Sequence, residues 1–262
     1  MAKEDTPTAL LESALRTGAS RPLLTYYDGP TGARVELSVA TFATWVAKTA
    51  GLLTEGLGVG PGGRATLLLP LHWLTPVWYA ACWAAGVLAG PVAPPAGPGV
   101  DVAVCGPDRV DQARARGAAE VVVVSLAPLG APTGSAPPPG VLDYAAEVPA
   151  YPDQFLALGP PDPAAPALQV PDRATPYPAG ELVALARSAA LAPGERLLVT
   201  AEPATLADVL ALTVAPWAVG GSVVLARNLD PASLVPMVTR ERVTAVVGPA
   251  PALPGTRAVR VP

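Results

Sequence analysis

The sequence predicts an α/β protein with largely parallel sheets, on three observations. Thirty-six consecutive residues, Ala65 to Val100, carry no charged side chain and are divided by Pro70 and Gly86 into strand, helix and strand. The alternation of strand and helix continues to Leu126, an order that favours right-handed crossovers between parallel strands. Later in the chain it recurs: Pro61-Gly62-Gly63-Arg64, strand, helix, Gly86, strand is echoed by Pro193-Gly194-Glu195-Arg196, strand, helix, Gly220, strand. The echo is either an internal duplication or the recurrence of a common βαβ unit.

Composition sets the bounds. The 262 residues are 51% hydrophobic and 15% charged, so much of the chain must be covered. Net charge is −4, and the only lysines are Lys3 and Lys48, which leaves no basic stripe for nucleic acid. Cys82 and Cys105 lie in apolar contexts without metal-ligand spacing, which suits buried thiols of a reducing cytosol. The first twenty residues lack the apolar core of a signal peptide, and a cytoplasmic location is expected.

Each element has a local signal. Leu10, Leu11, Ala14 and Leu15 follow helical spacing; Leu23–Gly29 and Ala33–Ser38, parted by Pro30-Thr31-Gly32, read as a β-hairpin. Ser38 caps a helix through Val39, Phe42, Val46, Ala50 and Leu53 that stops at Gly56 or Gly58. Thr66–Leu69 is a strand buried on both faces, His72–Ala85 a helix and Val87–Val92 a strand. That helix of about 14 residues covers about 21 Å, short of the roughly 30 Å of a bilayer core, so no membrane span is expected. Trp73, Trp78 and Trp83 spread around it, as in a helix buried on most sides. Strands at Asp101–Gly106 and Glu120–Leu126 flank a polar helix at Asp108–Gly117. Beyond the prolines come a helix at Ala179–Ala190, a strand at Leu197–Thr200 and one helix over Thr205–Val219. A strand at Gly221–Ala226, a helix from Asp230-Pro231 to about Glu241 and a last strand at Thr244–Gly248 complete the pattern.

Residues 1–126 thus form a first α/β subdomain and 179–262 a second, within one compact unit. Between them 127–178, with prolines at fourteen of fifty-two positions and no helical or strand period, reads as a long connection.

The motif order is specific. LTYYDG, ELSVATF, GLGVGPGGRATLLLP, a sixteen-residue step to Gly86 and VLAGPV resemble the N-terminal region of adenylate-forming enzymes, the class of acyl-CoA synthetases, peptide-synthetase adenylation domains and luciferases. APGERLLVTAEP and GGSVVLARNLDPASLVPMVTRERVTAVVGPAP are similar to the segment that follows that family's phosphate loop. Gly63 stands where the family has Asp, and Leu71 where it has Asn. The resemblance implies stacked αβαβα layers. It also implies a Ser/Thr/Gly loop with a lysine to hold ATP phosphates, yet PALQVPDRATPYPAGELV, Pro166 to Val183, occupies that place. Ala201-Glu202-Pro203-Ala204 replaces a histidine- or aromatic-bearing segment, and Pro262 precedes the family's later motifs. No catalytic or cofactor-binding residue of the family transfers, and no metal set is visible. ATP, AMP or CoA is expected only as a residue of family binding.

Three residues are candidates for lining a ligand. His72 is the only histidine, at a strand-to-helix turn. Thr200 and Glu202 follow a sheet strand at its carboxyl end, where α/β crevices form; Glu202 otherwise starts the next helix. Ser38 and Ser125 lack a neighbouring base, and Gly220-Gly221-Ser222 precedes a strand, as a turn does. The expected protein is a non-catalytic homologue that binds a small acyl ligand or a partner, through a homodimer or a second chain. A ligase completed in trans and a structural or regulatory protein are the alternatives.

Overall fold

The computed structural model describes residues 4–91, 99–127, 137–248 and 253–262. In its first part the elements are α1 (Pro7–Gly18), β1 (Pro22–Asp28), β2 (Ala33–Ser38), α2 (Val39–Gly51), β3 (Arg64–Leu68), α3 (Leu74–Ala84) and β4 (Leu88–Gly90). Next come β5 (Val102–Cys105), α4 (Val110–Arg114), β6 (Glu120–Val123), β7 (Leu142–Asp143), α5 (Tyr144–Glu147), β8 (Pro166–Leu168) and β9 (Tyr177–Pro178). The last part holds α6 (Ala179–Ser188), β10 (Arg196–Val199), α7 (Leu206–Leu212), α8 (Val214–Ala218), β11 (Ser222–Arg227), α9 (Pro231–Glu241), β12 (Ala245–Val247) and β13 (Arg257–Val259).

Local chemistry explains most boundaries. Thr6 caps α1 ahead of Pro7, and Ser38 Oγ accepts from the Thr41 amide at 3.1 Å to cap α2. After a π-helical turn at Leu52–Gly56, Gly58 takes a left-handed φ of 67°. Gly86, at φ 71°, ends α3, whose three neighbouring tryptophans are all buried: Trp73, Trp78 and Trp83. No helix among the described residues is long and apolar enough to cross a membrane.

The strands form two largely parallel sheets flanked by helices. One has the order β13-β12-β10-β11-β1-β2, the other β7-β6-β5-β3-β4-β8-β9. Among the described residues only β1/β2 and β8/β9 pair antiparallel. Apolar residues of β10, β11 and β12 pack with Leu234, Met237 and Val238 of α9, while Val121 and Val123 of β6 pack with Val110 and Ala113 of α4.

Several sequence expectations change. The stretch 127–178 is more than a connection: β7, α5, β8 and β9 lie in it, and strands of two or three residues leave little periodicity to read. The helix expected over Thr205–Val219 breaks at Thr213, where φ is −131° and ψ −96°. Pro216 lacks the amide needed for continuation, and its ring would meet the Leu212 carbonyl. A strand follows the one expected to be last, since β13 pairs parallel with β12. The polar helix at Asp108–Gly117 is a 3₁₀ turn and the short α4. Val92, the end of an expected strand, lies outside the described residues.

The division drawn on the sequence follows the chain; the compact units do not. One unit takes Met1–Ala43, Leu71–Pro76 and Gly180–Pro262, the other Thr44–Pro70 and Val77–Ala179. The echo seen in the sequence explains the interleaving. Gly62 N–H donates to the Gly86 carbonyl at 3.0 Å, as Gly194 N–H does to Val219 at 2.7 Å. Leu88 N–H reaches the Gly63 carbonyl at 2.9 Å, as Ser222 N–H reaches Glu195 at 3.0 Å. The orders β6-β5-β3-β4-β8-β9 and β13-β12-β10-β11-β1-β2 then correspond strand for strand. The hairpins are exchanged: β1 and β2 complete the sheet of the later strands, and β8 and β9 that of the earlier ones.

Candidate functional site

Polar groups gather at the carboxyl edge of the six-stranded sheet. Along β1, Thr25 and Tyr27 take one face, and Leu24, Tyr26 and Asp28 the other. The parallel register pairs Asp28 with Arg227. Just past the strands, Gly29 N–H donates to the Arg227 carbonyl at 2.9 Å, and Asn228 adopts a positive φ of 53°. A Cβ on Gly29 would sit 2.0 Å from the Asn228 carbonyl oxygen, so only glycine fits there.

Asp28 is buried. Its Oδ2 accepts from the Thr31 hydroxyl at 2.6 Å, and its Oδ1 lies 3.6 Å from Arg227 Nη1. The segment Leu71–Pro76 belongs to the same unit and brings His72, which is 1% exposed, to Tyr26 with ring centroids 4.8 Å apart and planes at 72°. His72 Nδ1 accepts from the Leu74 amide at 3.3 Å, and the Glu202 carboxylate accepts from the Leu71 amide at 2.7 Å.

Burial lowers the His72 pKa to about 3; Arg227 adds to the effect and Asp28 partly opposes it. Burial, with Asp28, pushes Tyr26 up to about 12, against Arg227. At neutral pH the edge therefore holds a neutral imidazole, a neutral phenol and an Asp28–Arg227 pair. The bond accepted at Nδ1 assigns the imidazole proton to Nε2. Such a set binds and orients polar groups; it contains no activated nucleophile.

Of the three residues singled out by sequence, His72 is buried in this cluster, and Glu202 is exposed but holds the backbone of the preceding residue. Thr200 is half-buried just beyond β10 on the same sheet edge. Glu202 does not start a helix: α7 opens later, with Thr205 and Asp208 as its capping box. Sequence reasoning missed Tyr26, Asp28 and Arg227. The available signal was polar residues two apart in an apolar strand, and an arginine closing the run SVVLAR. Among the described residues no group of three or more His, Cys, Asp or Glu is placed to hold a metal.

Two other places bear on function. An open cleft of about 430 Å³, touched by Arg64, Asp101, Gly117 and Ala119, lies at the amino ends of β3, β5 and β6, away from the carboxyl ends where α/β folds place ligands. Asp101 Oδ2 there accepts from the Arg64 amide at 2.7 Å. The loop between β8 and β9 is pinned by the buried Gln169, whose Nε2 donates to the Val170 carbonyl at 3.0 Å and the Arg173 carbonyl at 2.6 Å. The Arg173 guanidinium lies 4.0 Å from the Tyr177 ring centroid.

Paired, largely parallel sheets with exchanged hairpins define the class: this is the fold of the N-terminal domain of acyl-CoA synthetases. An acyl-CoA synthetase from Brucella canis superposes with a TM-score of 0.75 at 17% identity, over 92% of this chain and 47% of that one. The anthranilate CoA ligase AuaEII, solved in complex with anthranoyl-AMP, gives 0.72 at 16% identity over 93% and 49%. The N-terminal domain of FACL13 from Mycobacterium tuberculosis gives 0.70 at 14% over 93% and 62%. The chain therefore spans about half the length of the two ligases. No family model matches the sequence. A TIGR03089 family protein of Mycobacterium tuberculosis is 37% identical over 251 residues, covering 92% of this chain and 99% of that protein. The chain belongs to the TIGR03089 family.

Proposed function

We propose that this protein is a non-catalytic, acyl-CoA synthetase-like binding protein of the cytoplasm. It takes a small acyl ligand or a partner chain, and a homodimer is one form of the latter. His72, Thr200 and Glu202 line the ligand side, at the carboxyl edge of β10, β11 and β1. The observation that carries this reading is the β8–β9 loop. Acyl adenylation, in which a carboxylate takes the AMP of ATP and pyrophosphate leaves, needs free backbone amides, a metal ion and cations around the phosphates. At this position Pro171 has no amide hydrogen to offer, Asp172 adds a negative charge, and Arg173 lies over Tyr177. Glu181 occupies the first turn of α6, where a carboxylate opposes an incoming phosphate.

Pyrophosphate exchange with ATP across an acid panel tests the catalytic part; exchange above the enzyme-free blank defeats it. The alternative reading, a ligase completed in trans, draws on the fold shared with AuaEII and gains from the same result if a partner chain is required. A thermal-shift screen with ATP, AMP, CoA and fatty acids tests ligand binding. Saturation at 100-fold over Kd contributes about 2.7 kcal/mol, hence a shift of roughly 5–10 °C. No shift with any of them, together with a single-protomer mass by light scattering, leaves only the structural or regulatory reading.

A further inference from the structure

We propose that residues 154–159 are an interaction segment that adds, as a strand, to the β13 edge of a second copy of this chain. Leu156 and Leu158 are 88% and 84% exposed, whereas Leu15 and Val235, the other exposed large apolar side chains among the described residues, reach only 39% and 42%. A single exposed leucine is ordinary, but two this exposed and two positions apart share one side of an extended chain. Residues 155–158 belong to no helix, strand or turn, and 154–159 make no hydrogen bond among the described residues, by backbone or by side chain. The segment is nonetheless held at both ends. Lys48 Nζ lies 2.8 Å from Asp153 Oδ1 and donates to the Tyr151 carbonyl at 2.5 Å. Beyond it, Ala165 N–H donates to the Asp162 carbonyl at 3.1 Å, and Asp162 Oδ1 accepts from the Ala164 amide at 2.8 Å. Unpaired backbone between fixed ends, with alternate apolar side chains, is what strand addition to a sheet edge requires.

The matching edge is β13, which ends the order of the six-stranded sheet with β12 on one side. Arg257 N–H donates to the Thr244 carbonyl at 3.1 Å, so by alternation Ala258 turns its own N–H and carbonyl away from β12. Ala258 is exposed and stands in register with Val246, a member of the apolar cluster that holds Met237, Val238 and Leu253. Leucines on that face of an added strand extend a core that already exists. Charge selects the second copy. Between Gly117 and Asp172 the chain carries six carboxylates, Asp153 and Asp162 among them, and no Lys or Arg; from Arg242 to Pro262 it carries three arginines and no Asp or Glu. Arg257 is held by Glu195, while Arg260, just past β13, is exposed. An acidic segment is drawn to such an edge and repelled by an anionic lipid surface. The contact joins unlike surfaces and closes as a two-fold pair when each copy supplies both. It rests on the partner-chain form of the proposed function.

The test uses the full chain. Sedimentation equilibrium at low salt should show the mass rising with concentration from one protomer to two, and about 0.5 M salt should weaken the association several-fold. Leu156→Asp with Leu158→Asp changes only side chains that are almost fully exposed; with circular dichroism unchanged, this chain should stay a single protomer. Ala258→Pro removes an outward amide from the edge and should do the same from the other side. Arg260→Glu, which leaves the backbone alone, should weaken pairing at least several-fold and stands in if the proline variant does not fold. Mixing is the decisive step. The leucine variant keeps its edge and the edge variant keeps its segment, so neither pairs alone, yet together they should give a mixed dimer by native mass spectrometry. A single-protomer mass for the wild type at every concentration, a dimer that survives loss of both leucines, or variants that do not pair on mixing overturns the proposal. A single-protomer wild type that cosediments with phosphatidylcholine vesicles through these leucines gives the segment to a lipid surface and overturns it too. A ligand-dependent thermal shift in a single-protomer protein also overturns it, and leaves the small-ligand part of the proposed function standing.

Discussion

Replacing Glu241 by glutamine removes the charge on which a buried network of the first unit depends. Glu241 is 6% exposed at the end of α9. Its Oε1 accepts from the Tyr27 hydroxyl at 2.5 Å and Arg34 Nε at 3.0 Å, and its Oε2 from Arg196 Nη2 at 2.8 Å. Arg196 continues to Thr25 at 2.9 Å and Ser222 at 3.0 Å, so one carboxylate ties α9 to β1, β2, β10 and, through Arg196, β11. The contacts are not equal. The Arg34 side chain is 41% exposed, which limits its contribution to about 0–1 kcal/mol. Arg196 is 15% exposed, and breaking such a pair from one side costs about 3–5 kcal/mol. Glutamine keeps the shape and one accepting oxygen, so Glu241→Gln is expected to cost about 2–3 kcal/mol. At about 2–4 °C per kcal/mol for a chain of this size, Tm should fall by roughly 5–10 °C. Burial raises the Glu241 pKa, but hydrogen bonds from Arg34, Tyr27 and Arg196 outweigh it, and the net shift is downward from 4.5. A folded pKa below the unfolded one gives stability that is complete above 4.5 and lost as pH falls through the folded value. The difference between wild type and variant, followed by calorimetry, should therefore shrink in acid. A Tm loss under about 1 °C at neutral pH, or a difference that does not change with pH, would refute the reasoning.

Three further outcomes are expected. Gly29→Ala drives a methyl to 2.0 Å from a backbone carbonyl that cannot yield cheaply, and should lower stability by about 1–3 kcal/mol in urea titration; an unchanged midpoint contradicts the tight turn. His72 should titrate near 3 by NMR; because its folded pKa lies below the ordinary 6.5, it contributes stability that is lost as pH falls from 6.5 toward 3, and an imidazole titrating near 6.5 would sink the burial argument. Cys82 and Cys105 are fully buried, and burial raises both thiols, Cys105 to about 11. A thiol reagent should label neither in the native protein and both in denaturant; rapid native labelling is the contrary result.

The strand and helix order was readable because it is written locally. Pro70, Gly86, Gly194 and Gly220 punctuate runs whose apolar content suits strands buried on both faces, and α3 could be told from a membrane span by its length alone. The failures are local too. Pro216 was visible, yet apolar continuity from Leu206 to Val219 masked the break it makes at Thr213. In β8 and β9 runs of two or three residues carry no period to detect, and Gln169 gives no hint in sequence that it will pin the loop between them.

Sequence alone determined that two similar βαβ units exist and that they resemble the scaffold of adenylate-forming enzymes. Those properties depend on neighbours along the chain. Tertiary structure decided which sheet each hairpin joins and which polar residues meet. Asp28 and Arg227 stand in adjacent strands only because β1 leaves the half of the chain it begins and pairs with β11. His72 reaches Tyr26 because Leu71–Pro76 belongs to the unit of β1 and β11, whereas the strand before it belongs to the other. Strand pairing between segments so distant is governed by burial of whole faces rather than by local preference, and for that reason Tyr26, Asp28 and Arg227 could not be assembled from the sequence.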